Sequence, residues 1–288
     1  MYTLSRLRHF GMALLPVLHF LSACKINDNR AYENEFKRSE VPAVVEYTDA
    51  TENRLRFVGV NGVDEGAPAI IFVHGAPGGA NAFFEYMKDS ALVNQYVLVS
   101  VDRLGYAGSD RKNPQPSISA QAQSISPLID RFIAEGRRVY LVGHSYGGPI
   151  IVRAAMEYGT KISGLLLLAP AIDPDNEKVF WFTKLGKIWP FRWIIPSGLK
   201  TATYEKLAHA EELEKMASDW ALVQCPVTYL HGTADNIVPF ENYDFAKRAL
   251  NHIQPKMIAI ENENHFLPWR QYDLVKKSLI NLVENQEK

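Results

Sequence analysis

Cysteine is nearly absent: the 288 residues hold two, Cys24 and Cys225. A disulfide-stapled scaffold is therefore excluded, and stability must come from a buried core. An excess of one charge is also lacking. The formal net charge is -1, with 31 basic and 32 acidic residues interspersed, so no long-range field favours nucleic acid and no nucleic-acid partner is expected. No apolar run reaches the roughly 20 residues of a membrane-spanning helix, and the nearest, Phe10 to Leu21, falls short. The histidines are scattered and Cys225 has no ligand-type neighbour, so neither a metal nor another cofactor is expected. No internal repeat is visible. A chain of this length with 47% hydrophobic residues reads as one catalytic-size domain with at most a small insertion.

What is present centres on Val139 to Ile150, VYLVGHSYGGPI. An apolar strand breaks at Gly143, exposes Ser145 at a sharp turn and resumes as a helix after Gly147. Gly143-His144-Ser145-Tyr146-Gly147 is thus a G-x-S-x-G nucleophile elbow in its strand-turn-helix context. The glycines have a steric reason, since a serine in a strained turn needs neighbours without a Cβ. Upstream, Val44 to Tyr47 and Leu55 to Val60 read as an opening hairpin. Ala69 to Val73, Tyr96 to Val101, Leu165 to Leu168 and Val227 to Leu230 are continuous apolar runs, as strands buried on both faces should be. Helical periodicity at Ile118 to Ile133, where Pro127 should kink or restart the helix, at Ile150 to Tyr158 and at Val275 to Val283 completes the alternation. This predicts a mostly parallel, doubly wound α/β sheet, with ligands bound outside the carboxyl ends of the strands. Asp102 and Ser109, in the loop after one such strand, read as turn and capping residues, and Cys225 as a small buried hydrophobe.

The ends of this alternation differ from its middle. Arg6 and Arg8 precede the apolar run, which ends in Leu21-Ser22-Ala23-Cys24, giving residues 1–23 the layout of an export signal. The last four residues resemble the lipobox of bacterial lipoproteins. That resemblance implies lipid on Cys24, a membrane anchor, and outer-membrane sorting in a Gram-negative cell because Lys25 follows. Residues 24–42 are then expected to be a polar tether. Residues 43–170 and 225–288 would form the core, and 171–224 a lid insertion. The insertion holds Trp181, Trp189 and Trp193, expected to line an apolar pocket, and a helix from Tyr204 to Met216 whose acidic residues read mainly as solvated.

Serine needs a base to become a nucleophile, and the base needs a carboxylate. His74-Gly75-Ala76-Pro77-Gly78-Gly79, the elbow, His231-Gly232-Thr233-Ala234-Asp235 and Asn264-His265 together resemble the stations of the α/β-hydrolase superfamily, from about Val44 onward. The resemblance implies an α/β-hydrolase fold in which Ser145 attacks, His265 is the base and Asp235 orients it, with Asp173 and Asp175 as alternative acids. It implies backbone N–H groups of Tyr146 and Ala76 as the oxyanion hole. His144 is expected to point away from the site, and His74 and His231 to shape their loops. The implied reaction is acyl transfer to water on a small-molecule ester, without a cofactor. HGAPGG and DRLGYAGSD are also similar to the loops of prolyl aminopeptidases, and a lipidated binding module without turnover is the reading from another class.

Overall fold

A computed structural model describes residues 29–48, 54–60, 65–110, 113–177 and 197–285. Residues 1–23, expected to be an export signal, and Cys24, Trp181, Trp189 and Trp193 lie outside the described residues.

Five apolar runs become the centre of an eight-stranded sheet. The strands are β1 (Ala43–Tyr47), β2 (Arg56–Val60), β3 (Ala69–Val73), β4 (Val97–Val101), β5 (Val139–His144), β6 (Ile162–Leu168), β7 (Val227–Gly232) and β8 (Lys256–Ile260). Their order is β1-β2-β4-β3-β5-β6-β7-β8. The first three in that order pair antiparallel, and from β4 through β8 every pairing is parallel. β2 through β5 and β7 are buried at every residue, because side chains of both parities meet a packed layer. Ile71, Val99, Leu141 and Leu165 feed one core, while Ile70, Leu98, Tyr140 and Leu166 feed the other.

Helices cover both faces. α1 is Asn29–Arg38, α2 Ile118–Ala134, α3 Gly147–Tyr158, α4 Ser197–Lys215, α5 Glu241–Ala249 and α6 Tyr272–Glu284. α2, α3 and α5 join the first core, and α1 and α6 the second. The α/β-hydrolase fold is therefore present, with the parallel strands delivering their carboxyl ends to one edge.

Two expectations need correction. Most of the supposed tether is α1, whose Tyr32 and Phe36, one turn apart, are buried against Phe84 with ring centroids 4.9 and 4.7 Å away. Two aromatics on one stripe suffice to dock an otherwise charged segment. α2 runs through Pro127 without a break, since Ile125, Leu128, Ile129 and Phe132 on either side are buried and hold it to the sheet. Cys225 is buried as expected, and burial pushes its thiol up to about 12.

If α1 is part of the folded domain, Phe36→Ala should destabilise the protein by about 3–5 kcal/mol in urea unfolding, as for other buried phenylalanines. An unchanged midpoint would return this segment to the status of a tether.

Candidate active site

The elbow forms because Ser145 is forced into a conformation that side chains resist. Its φ is 54°, in the left-handed region. The turn is fixed on both sides: the Ser145 N–H donates to Leu168 O at 3.0 Å, and Ser145 O accepts from the N–H groups of Gly148 and Ala171 at 2.9 and 3.2 Å. A Cβ on Gly143 would lie 2.6 Å from Gly147 O, and one on Gly147 would lie 2.2 Å from Val73 O. Both contacts are with backbone, which cannot step aside. The glycines are therefore what lets α3 start this close to β3 and β5.

Asp235 follows β7 directly, and its two oxygens have separate duties. Oδ1 accepts the N–H groups of Ile237 and Val238 at 2.8 and 2.9 Å, while Oδ2 accepts from His265 Nδ1 at 2.7 Å. His231 Nε2 lies 3.4 Å from the same Oδ2. Burial opposes ionisation of this carboxyl, but the hydrogen bonds from His231, His265 and Ile237 outweigh it and hold it well below the usual range. Asp173, the alternative acid, caps its own turn, accepting from Asp175 N and Asn176 Nδ2 at 3.0 and 2.8 Å.

His144 does not point away, contrary to expectation. Its Nε2 donates to the backbone oxygen of His265 at 3.0 Å, and the two rings lie 4.7 Å apart with Trp269 5.2 Å from His144 on another side. The carbonyl can only accept, so the proton is on Nε2. Burial pushes this imidazole down to about 3, keeping it a neutral donor. The residue next to Ser145 thus ties the elbow to the loop bearing His265.

The loop after β3 is held by Arg103. Its Nε donates to His74 O at 2.8 Å and its Nη2 to Gly75 O at 3.0 Å, while Glu205 of α4 accepts from Nη1 and Nη2 at 2.5 and 3.1 Å. Tyr106 donates to Glu205 Oε2 at 2.5 Å. Burial disfavours the guanidinium charge, yet the Glu205 carboxylate more than compensates and holds it above its ordinary value. His74 is neutral by geometry: the Arg103 N–H donates to its Nε2 at 3.1 Å, so the proton on Nδ1 goes to Gly75 O at 2.6 Å. A Cβ on Gly75 would stand 2.9 Å from the Ser145 Cβ, which brings the Ala76 segment beside the elbow. The Tyr146 ring is pinned by His209, 4.5 Å away, by the Arg103 guanidinium at 4.8 Å, and by its hydroxyl donating to Pro116 O at 2.9 Å.

Sequence reading missed Arg103, Glu205 and the role of His144. The acidic residues of the insertion are not all solvated, since Glu205 is fully buried. A signal existed: Thr201, Glu205, His209 and Leu213 recur every four residues, and these are the buried positions of α4. His209 Nε2 donates to Ala171 O at 3.0 Å, and its buried Nδ1 has no hydrogen-bond partner.

Comparison with known proteins gives the same architecture. The model of a family described as "Alpha/beta hydrolase family" matches residues 70–276. Over 150 residues the chain is 29% identical to a 1-acylglycerol-3-phosphate O-acyltransferase of Arabidopsis thaliana, covering 49% of this chain and 35% of that one. Over 132 residues it is 27% identical to proline iminopeptidase PfmaB of Pestalotiopsis fici, covering 43% and 47%. The matches span less than half the length of either relative. A solved membrane phospholipase A, described as a bacterial virulence factor, is similar with a TM-score of 0.63 at 16% identity over 98% of this chain and 99% of that one, a likeness of fold.

Removing Glu205 strands a buried guanidinium. Glu205→Ala should cost about 3–5 kcal/mol in urea unfolding, and Arg103→Met combined with Glu205→Leu should recover most of that loss.

Proposed function

Because the chain belongs to the alpha/beta hydrolase family, we propose that it is a serine hydrolase that cleaves carboxylic esters through an acyl-serine intermediate. The observation that carries this reading is the left-handed Ser145 at the carboxyl end of β5, with a His265–Asp235 pair 2.7 Å apart on the loops after β8 and β7 at the same edge and His144 tying the elbow to the His265 loop. In this reading Ser145 Oγ attacks the ester carbon and His265 Nε2 takes its proton. The carbonyl electrons move to an oxyanion held by the N–H groups of Tyr146 and Ala76. Collapse expels the alcohol, which takes the proton from His265. Water then repeats the sequence on the acyl-serine, releasing the acid and restoring Ser145. The rigid seat of Tyr146 and the Arg103 clamp on the loop before Ala76 support these two donors, since an oxyanion hole acts through preorganisation. Asp235 is ionised and its Nδ1 contact fixes the His265 tautomer.

A prolyl aminopeptidase-like enzyme is the second reading, favoured by the HGAPGG loop and by the match to a proline iminopeptidase. A free substrate amine needs an uncommitted carboxylate. Among the described residues of the insertion, Glu205 is neutralised by Arg103 and Glu177 by Lys206, with Glu212 bonded to Lys215 and the Ile118 N–H. These commitments remove Glu205, Glu177 and Glu212 as partners for an amine, so a peptidase would have to use Asp173, which caps its own turn, or an exposed carboxylate such as Asp175. We further propose export and anchoring through lipid on Cys24, which rests on the lipobox-like residues alone.

Hydrolysis of p-nitrophenyl acyl esters, with proline p-nitroanilide alongside, tests the reaction. Ser145→Ala should lower ester turnover by about 10⁴- to 10⁶-fold and abolish fluorophosphonate labelling. Cleavage of the anilide alone would favour the peptidase, and an unlabelled, inactive wild type would favour a binding module. His144→Phe, which keeps a ring but loses the bond to His265 O, should lower kcat about ten- to a hundredfold with little change in KM, the loss expected from a displaced base.

A further inference from the structure

We propose that the candidate active site opens toward the membrane and takes acyl esters held in the bilayer rather than esters dissolved in water. This rests on the ester reading and on the proposed anchor at Cys24. The structural argument is the direction in which α1 enters the domain. Asn29, its first residue, accepts from Arg56 Nη1 at 3.1 Å and from the Tyr47 hydroxyl at 3.3 Å. Tyr47 closes β1 and Arg56 opens β2, and the two are paired. β2 runs antiparallel to β4, with Phe57 opposite Val101, so Asn29 sits at the edge where β4 ends. Tyr32, one turn later, donates to Asp102 Oδ1 at 2.9 Å, and Asp102 follows β4. Ser145 and Asp235 follow β5 and β7 at that same edge. The chain therefore leaves the domain on the active-site side.

The length available decides the orientation. Five residue steps separate Cys24 from Asn29, and even fully extended they span only about 18 Å. A domain of this size is about 45 Å across. An anchor on so short a leash cannot present the opposite edge to the bilayer. α1 cannot lengthen it cheaply, because Tyr32 and Phe36 are buried and Arg56 Nε is paired with Asp102 Oδ2 at 2.5 Å beneath them.

The exposed apolar side chains agree independently. Six large ones are well exposed among the described residues, and four of them, Leu199, Tyr204, Ile237 and Trp269, lie on segments at this edge. Leu199 and Tyr204 are on α4, which packs over the loop after β4 through Thr201 and Glu205. Ile237 follows Asp235 in its loop, and the Trp269 ring stands 5.2 Å from His144. Apolar groups at this edge lose less by facing acyl chains than by facing water.

The test uses the full-length chain in vesicles. A fluorophore is attached to Ile237→Cys at this edge, or to Lys256→Cys at the start of β8 on the far edge, Cys225 being buried. Head-group nitroxide lipids should quench the first several-fold more than the second. Equal quenching, reversed quenching or recovery of the chain in the soluble fraction would overturn the orientation. Substrate class is read by inserting a twenty-residue Gly-Ser segment between Asp28 and Asn29. Turnover of dissolved p-nitrophenyl butyrate should be unchanged, while hydrolysis of a fluorogenic diacylglycerophospholipid in the bilayer should fall at least tenfold. Equal rates on the bilayer ester with and without the insert would overturn the substrate claim. Failure of the unmodified chain on both esters would overturn the ester reading and with it the substrate claim, while the quenching pair still decides the orientation.

Discussion

The structure depends on one strained residue. Ser145 has a φ of 54°, which costs a side-chain-bearing residue about 1–2 kcal/mol and persists only if its surroundings leave no alternative. Here they leave none. β5 is central, hydrogen-bonded to β3 on one side and β6 on the other, so the strand cannot shift to relieve the turn. α3 begins at once and so close to β3 that a Cβ on Gly147 would collide with Val73 O, and one on Gly143 with Gly147 O, so both positions need glycine. The buried central strands and the strained serine are thus parts of a single arrangement: the first supply the rigidity that the second consumes.

Around that turn, each loop at the carboxyl edge is tied to another by a buried polar side chain. Arg103 joins the loops after β3 and β4 to α4. Asp102 joins the loop after β4 to β2, to the N–H of Ala80 and to α1. Asp235 joins β7 to the loop after β8, and His144 joins that loop back to the elbow. Buried ion pairs contribute little net stability compared with apolar packing, because desolvation offsets most of the attraction. What they supply is geometry, since losing one partner leaves a charge or an orphaned carbonyl where water cannot reach.

The scaffold was legible because its signal is dense. Runs such as AIIFV and VLVSV leave few alternatives to a strand buried on both faces, and the elbow announces itself by glycines whose spacing has a steric cause. The polar layer was harder to read. Arg103 sits among turn residues, and nothing in DRLGYAGSD distinguishes a buried arginine from a solvated one. Glu205 lies on a helix whose other acidic residues are exposed or only partly buried, and its four-residue stripe with Thr201 and His209 is polar, so a search for apolar periodicity passes over it. α1 shows the same limit, with two buried aromatics among ten mostly polar residues. In each case burial is decided by a partner distant in sequence, Arg103 by Glu205 102 residues later and Tyr32 by Asp102 70 residues later.

The same pairing logic is consistent with the proposed mechanism, in which His265 rather than the other histidines at this edge carries the proton. Protonating His74 would place a hydrogen on the Nε2 that accepts the Arg103 N–H, next to a guanidinium. Protonating His144 would bring a charge into a fully buried site beside other histidines. His231 already accepts the Tyr229 hydroxyl on Nδ1, 2.9 Å away, and its Nε2 faces Val238 O at 3.2 Å. A charge forming on His265 instead meets the Asp235 carboxylate at 2.7 Å, the condition under which an imidazolium is stabilised in a buried site. The fold thus gives His265 the shortest contact with the Asp235 carboxylate, 2.7 Å against 3.4 Å for His231, while His74 and His144 are held by backbone partners.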